Sequence, residues 1–507
     1  MKRWLPMTLA LAFVVLAFAP PAAHAQPKDT LTVALASHAP TMDPHMHFER
    51  VGILVNINMF DSLLHRSAKL EFEPSLATSW KALTDTQWEF KLRKGVKFHN
   101  GDLMTAEDVK YSFDRVLDQT KKSPQYGNIR AIKEVRVVNP ETVHVITDKP
   151  FPLLLERLVF FPIVPKKHIE TVGDQVFGTT SPVGTGPWKF VEWKRDQMIR
   201  LEAFDQYWRG RPPFKHLVFR AIPETATQVA ELKTGGVDII RNVSADLMPE
   251  LKTNPQTYIS STPILRVHSV ELDMRSAPFD KRLVRQAANY AIDKQTIIQK
   301  LMAGLGKQVA TTVQPPAFGF DPDVKTYAYD PKKAKELLAQ AGYANGVDIT
   351  LHSADPAVRP QFEALCQMLT EVGIRTTPRL WDPGPAWNKF FQGEGKAVNG
   401  TYFTWGNYSV FDADAVLHPL YHTEQGGWIG KWYTRVEGLD RPIDEARSTL
   451  DQPKRKRIYS QIQQLIREEA PSIYLYTQYD TLGLSKRVEY AARADEWLWL
   501  YDAKPKR

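Results

Sequence analysis

Between Glu73 and Leu117 the pattern of apolar and polar positions changes period. Trp88, Phe90 and Leu92 alternate with Glu89 and Lys91, the spacing of a half-buried strand, and Val96 and Phe98 continue it. Asn100-Gly101 supplies residues that tolerate positive φ at a tight turn. Thr105-Ala-Glu-Asp108 then reads as a helix start: the hydroxyl caps a free N–H, and the acids favour the positive end of the helix. Val109, Phe113 and Val116 follow at helical spacing. Upstream, Thr30–Ala36 alternates as a strand, Ala39–Pro44 is a loop, and Val51–Leu64 carries a helical pattern. Downstream, Val135 and Val137 face Val143 and Val145 across the turn Asn139-Pro-Glu-Thr142, which predicts a hairpin.

The rest of the chain alternates strands and helices. Ser181–Pro187 is a Pro/Gly turn before the strand Trp188–Trp193, and Ile199 and Leu201 mark the next strand. A helix is expected over Thr225–Leu232 and a strand over Val237–Ile240. Asp280 is the expected cap of a helix that turns Arg282, Arg285 and Gln286 outward and Leu283, Val284 and Ala287 inward. Asp330, Pro331 and Gly342 bracket a well-signalled helix. Val347–Leu351 reads as a strand, Arg359–Val372 as a helix and Pro471–Tyr476 as a β-rich run.

Composition narrows the class. A chain of 507 residues holds two or three domains, and 43% apolar with 24% charged residues is ordinary for a soluble globular protein. The net charge of +8 comes without a block of basic residues. The densest run, Lys454-Arg-Lys-Arg457, spreads around a helix and reads as a solvated face, so no nucleic-acid arm is expected. Lys2-Arg3, the apolar run Met7–Phe18 and Ala23-His-Ala25 form a secretory leader over residues 1–25, with Gln26 the first mature residue. No later stretch approaches the ~20 apolar residues of a membrane span. Cys366, the single cysteine, sits among Phe362, Leu365, Met368, Leu369 and Val372 at helical spacing and reads as core.

Several stretches together resemble one family. Leu76-Ala-Thr-Ser-Trp80, Lys91-Leu-Arg-Lys-Gly-Val-Lys-Phe-His99, Asn100-Gly-Asp102 and Thr105-Ala-Glu-Asp-Val109 are followed by Gly184-Thr-Gly-Pro187 and Asp205-Gln-Tyr-Trp208. In this order they resemble the extracytoplasmic solute-binding proteins of peptide, dipeptide, glutathione and nickel ABC transporters. The resemblance implies a two-lobed α/β periplasmic binding protein fold of the class II type, with an extra subdomain in the first lobe. The first lobe would run over 26–267 with the insert at about 50–180, and the second over 268–478. Residues 479–507 would return to the first lobe. It also implies a monomer in the periplasm that spans no membrane, carries no cofactor and delivers a small peptide-like ligand to an ABC permease served by a cytoplasmic ATPase. Binding for chemoreception or as a chaperone, and metal-chelate, haem, opine or sugar ligands, remain open on the same scaffold.

Candidate chemistry is sparse. The chain has no G-x-S-x-G elbow, S-x-x-K pair, H-E-x-x-H or P-loop, and Gly184-Thr-Gly186 lacks the spacing and the following helix of a phosphate loop. His45-Met-His47 places two imidazoles on one side of an extended segment, with no third ligand at diagnostic spacing. His45 is therefore either structural or a lining residue of the ligand cleft. In Thr401–Leu417, the dipeptide and oligopeptide binders carry a Trp followed three residues later by an Asp that holds the ligand's ammonium. Here Trp405 is followed by Asn407 and Tyr408. Asp412 and Asp414 are similar to the glutathione-type branch: either could serve an amine, and Asp414 could instead cap the next helix. By the same resemblance Arg359 stands where the family clamps a ligand carboxylate, with a plain surface arginine as the alternative. Tyr402, Phe411, Trp428 and Trp432 add aromatic area for core or cleft walls.

Overall fold

The computed structural model describes residues 29–382, 398–406, 410–423 and 430–506. The expected leader, Asn407, Tyr408 and Trp428 lie outside them. One eleven-stranded sheet runs through both lobes. On the first-lobe side Thr30–Leu35 pairs in parallel with His216–Ala221, which continues antiparallel through Met198–Ala203 to Trp188–Lys194. On the second-lobe side Val347–Ser353 pairs in parallel with both Ile374–Leu380 and Gly400–Gly406. Two long antiparallel strands, Thr257–Leu272 and Ser472–Ser485, join these halves. The expected lobe boundaries at 267/268 and 478/479 fall inside these two strands.

Each half has its own core. Leu31, Val33, Trp188, Leu201, Phe219, Leu484 and Trp497 are buried together in the first lobe. Val270, Leu272, Phe279, Leu365, Cys366 and Ile473 are buried together in the second. Burial pushes the Cys366 thiol up to about 12, which leaves it inert at neutral pH. A separate four-stranded sheet, Ala77–Thr84, Gln87–Leu92, Thr142–Thr147 and Ile132–Asn139, forms the insert with the helix Ala106–Leu117. Phe90, Val109, Phe113 and Val145 fill the space between them. That helix starts in a capping box: Asp108 Oδ2 accepts from the Thr105 N–H at 2.8 Å.

Local pattern fails where tertiary contacts take over. The first helix stops at Asn56 rather than Leu64, because the next residues bind other parts of the chain. Asn58 Nδ2 donates to the Leu498 carbonyl at 3.0 Å, and the Met59 carbonyl accepts from the Gly186 N–H at 2.9 Å. Val96 and Phe98 are buried but lie outside any strand, on either side of Lys97, which makes a single antiparallel bridge to Leu103. Only Ile239–Ile240 of the expected strand pairs. Lys281, not Asp280, precedes the helix Arg282–Tyr290. Arg285 is turned inward, 2% exposed, with its guanidinium on the Phe279 and Glu469 carbonyls and the Glu469 carboxylate. The helix Pro331–Gln340 has the expected Asp330 cap and Gly342 at φ +87°.

The family-like motifs meet at one buried acid. Asp61 accepts from Thr185 Oγ1 at 3.0 Å, Tyr207 Oη at 3.1 Å and Trp208 Nε1 at 2.9 Å. Thr185 reaches it because Gly184 lets the turn press on the first-lobe backbone; a Cβ there would lie 2.1 Å from the Met59 carbonyl oxygen. Burial pushes the Asp61 carboxyl up to about 6 against the pull of these donors.

Candidate functional site

A cavity of about 680 Å³ lies between the insert and the second lobe. From the insert come the hairpin Leu64–Arg66/Phe72–Pro74, Trp88 and the helix Leu154–Leu158. From the second lobe come Pro315–Phe320, Phe411-Asp412 and the start of the helix Gln452–Glu469. Phe72, Trp88, Phe318, Phe320 and Phe411 give its walls aromatic area. Such a volume, with aromatic side chains beside several charged groups, suits a small polar ligand with an apolar body.

The two walls are tied together at their inner edge. Arg66 donates to Glu156 Oε2 at 2.6 Å, and its guanidinium lies 4.7 Å from the centroids of both Phe72 and Phe411. Glu156 Oε2 also accepts the backbone N–H of Phe411 at 2.9 Å, so an insert carboxylate holds the second-lobe loop. Burial pushes the Glu156 carboxyl up, with Arg66 and the Phe411 N–H opposing it. Leu153 packs with Val410 and Ala415 beside this contact.

Asp412 sits on the second-lobe side in a closed ionic network. Arg455 grips it with Nη1 on Oδ2 at 2.5 Å and Nη2 on Oδ1 at 3.0 Å. Tyr459 Oη donates to Oδ1 at 2.8 Å and the Asp414 N–H at 2.9 Å. Burial pushes the Asp412 carboxyl up, and Arg455 pulls against it. The segment is braced from the other side, where the Phe318 N–H donates to the Phe411 carbonyl at 2.7 Å. Asp412 therefore supplies the side-chain acceptor expected of Asp414, which stands as the first residue of the helix Asp414–Tyr421. Asp414 itself meets Arg447 Nε at 3.1 Å.

The other expected site residues are dispersed. Trp405 stacks on Phe403, with centroids 5.6 Å apart, and donates Nε1–H to the Ala415 carbonyl at 3.0 Å, behind the Asp412 loop. Arg359 opens its helix at the surface, bonded to Glu363 at 2.8 Å, and does not line the cavity. His45 is buried in the first lobe against Phe161, with Nε2 2.9 Å from the Pro162 carbonyl oxygen. Burial and Arg115 bring its pKa down to about 4. His47 turns to Asn56 instead, with Nε2 2.8 Å from Nδ2. Among the described residues no three His, Cys, Asp or Glu side chains group as metal ligands.

Sequence reasoning missed Arg66, Trp88, Glu156, Phe318, Arg455 and Tyr459. Arg455 carried a usable signal. It is 4% exposed while Lys454, Lys456 and Arg457 are exposed, and it falls on the buried stripe Arg455, Ile458, Tyr459, Ile462, Gln463 and Ile466. The expectation that the whole basic run faces solvent is thus corrected at Arg455.

Comparison with known proteins accords with this architecture. The sequence profile of the bacterial extracellular solute-binding proteins, family 5, matches residues 71–428. Heme-binding protein A of Haemophilus influenzae is 29% identical over 453 residues, 84% of this chain and 82% of its own length. The glutathione-binding protein GsiB of Escherichia coli is 26% identical over 460 residues, 88% of this chain and 89% of its own. The periplasmic binding protein DppA from Helicobacter pylori, solved with the peptide STSA, superposes with a TM-score of 0.77 at 25% identity, covering 94% of this chain and 98% of that one.

Proposed function

Because the chain belongs to the bacterial extracellular solute-binding proteins of family 5, we propose that it captures a short peptide or peptide-like solute between its lobes and delivers it to the membrane permease of an ABC importer. The observation that carries this reading is the cavity of about 680 Å³ walled by the insert on one side and the second lobe on the other. A solute that touches both walls binds the closed form better than the open one, and that difference in affinity drives closure. The Glu156–Phe411 and Arg66–Phe411 contacts tie the insert to the second lobe beside the cavity. The closed chain would then present both lobes to the permease, whose partner ATPase drives import. The leader at residues 1–25 supports export to the periplasm, and no helix among the described residues is long and apolar enough to cross a membrane.

DppA with a bound peptide and the glutathione-binding relative support the ligand class, while the haem-binding relative supplies the main competitor. A thermal-shift screen tests the reading after co-purified ligand has been removed by unfolding and refolding. The panel holds di- to pentapeptides, oxidised and reduced glutathione, haem, and nickel with chelators. A ligand at 100 times its dissociation constant adds about 2.7 kcal/mol of stability. Shifts with peptides or glutathione are expected; shifts with haem or metal alone would replace the peptide reading.

A further inference from the structure

The solute cavity has two buried acids on its lining, and each is already paired with an arginine. Glu156 is occupied by Arg66 and the Phe411 N–H. Asp412 receives four donors: two from Arg455, one from Tyr459 and one from the Asp414 N–H. Three of these donors fall on Oδ1 and one on Oδ2, and the bidentate Arg455 already balances the buried charge, so Asp412 has no net charge to offer an ammonium group. Arg455 cannot swing away cheaply, because its Nε is held by the Ala446 carbonyl at 2.8 Å and its Nη2 also donates to Tyr459 Oη at 2.7 Å. Displacing it would leave a buried charge without a partner.

The charges that remain are positive on balance. Among the described residues, the cavity-lining side chains with no ion pair are Lys69 on the insert and Lys456 on the second lobe, against one acid, Glu71. All three are exposed and screened by water to a similar degree, so the balance on the lining is one positive charge.

We infer that Arg455 sets the charge class of the solute: by filling Asp412 it removes the amine anchor, and the cleft takes an acidic solute that needs no free ammonium. The inference rests on reading this cavity as the solute site. A peptide-like ligand is held by its carboxylates and its apolar body, and blocking its amino terminus leaves it bound.

Calorimetric titration of the refolded, ligand-free chain with one acidic tripeptide in three forms (free, N-acetylated and C-amidated) tests it, with haem as the non-peptide acidic probe. N-acetylation is expected to change the wild-type dissociation constant by less than about threefold, and C-amidation to weaken it about tenfold. In Arg455→Met the freed Asp412 should now favour the unblocked amine by about tenfold. A wild-type loss of about tenfold or more on acetylation overturns the inference, whether or not the variant folds. If no peptide form binds and haem does, the peptide reading falls while the charge assignment stands. If nothing binds, both fall.

Discussion

Asp61 and Asp412 are buried alike, 8% and 5% exposed, and each accepts several hydrogen bonds, but the donors differ in kind. Asp61 is met by a threonine, a tyrosine and a tryptophan, all neutral, and makes no ion pair among the described residues. Asp412 is met by a bidentate arginine. The neutral network ties the turn at 184–187 and the segment 205–208 to the stretch after the first helix, off the lining of the cavity proposed for the solute, and it leaves the carboxyl free to titrate. The ionic network stands on the wall of that cavity and fixes both the charge and the position of the Phe411-Asp412 loop. Buried carboxylates of similar exposure thus serve two ends, and the partner, not the burial, decides which.

The strongest way to break the comparison is to remove one charge. Arg455→Met leaves Asp412 buried and unpaired and should cost about 3–5 kcal/mol, read from the urea unfolding midpoint. Adding Asp412→Asn to that variant should restore most of the loss, since an ion pair replaced on both sides is often close to neutral. A double variant no more stable than Arg455→Met would show that Arg455 stabilises through packing on Phe318 and Tyr459, 5.4 and 5.0 Å from its guanidinium, and not through the charge pair.

Asp61 should answer to pH instead. Its folded value of about 6 lies above the ordinary 3.8, so the folded chain holds a proton that the unfolded chain has released between those values. The resulting stabilisation is complete below pH 3.8 and is lost as the pH rises through about 6. Asp61→Asn removes that titration. Wild type should therefore gain on the variant by up to about 3 kcal/mol between pH 7 and pH 4, measured as the difference of their unfolding free energies. A constant difference across that range would mean that Asp61 stays ionised in the fold.

How far the sequence revealed these two networks differs for a physical reason. The residues around Asp61 sit in stretches that could be singled out by their turn chemistry and their resemblance to a family, although nothing in the chain announced that Thr185, Tyr207 and Trp208 converge on one carboxylate. Strands and helices with strong periodicity, such as Gln87–Leu92 and Ala106–Leu117, were equally legible, because their pattern is local. The helix expected to reach Leu64 was not, since residues beyond Asn56 exchange helical bonds for contacts with Gly186 and Leu498. At the cavity, Asp412 was legible as an acid near an aromatic cluster. Its partner lies 43 positions further on in a run of four basic residues. Only the apolar stripe continuing through Ile458, Tyr459 and Ile462 marks Arg455 as the inward one. The walls contributed by the insert, Arg66, Trp88 and Glu156, depend on how two distant segments pack, and no periodicity encodes that.

Each network also depends on a glycine that lets the chain come close, which sharpens the contrast at smaller cost. A Cβ at position 184 would press on the Met59 carbonyl oxygen, a backbone atom that cannot turn aside. A Cβ at Gly319 would fall 2.3 Å from the Tyr459 ring, and Gly319 has φ +90° besides. Both Gly184→Ala and Gly319→Ala should lose about 1–3 kcal/mol from overpacking. Only Gly319→Ala, which displaces the Tyr459 hydroxyl from Asp412, should also weaken solute binding. Equal binding in the two variants would separate Tyr459 from the ligand-facing network.

The smallest effect is expected at Lys456, whose charge faces the same cavity one residue from Arg455 but in solvent. Its Nζ lies 5.3 Å from the Phe318 ring, an exposed cation–π contact worth about 0.5–1 kcal/mol. Water screens its Coulomb attraction for a ligand carboxylate, and salt screens it further over a length of about 10 Å at 0.1 M. Lys456→Gln should therefore leave the unfolding midpoint nearly unchanged and weaken an acidic solute by about threefold at low salt. The difference from wild type should vanish toward 1 M salt. The neighbouring Arg455 does the reverse: buried and paired, it holds the fold and is largely insensitive to salt. A salt-independent loss at Lys456 would mean that this lysine is buried against the solute in the closed cleft, and would move it from the rim of the site to its inner wall.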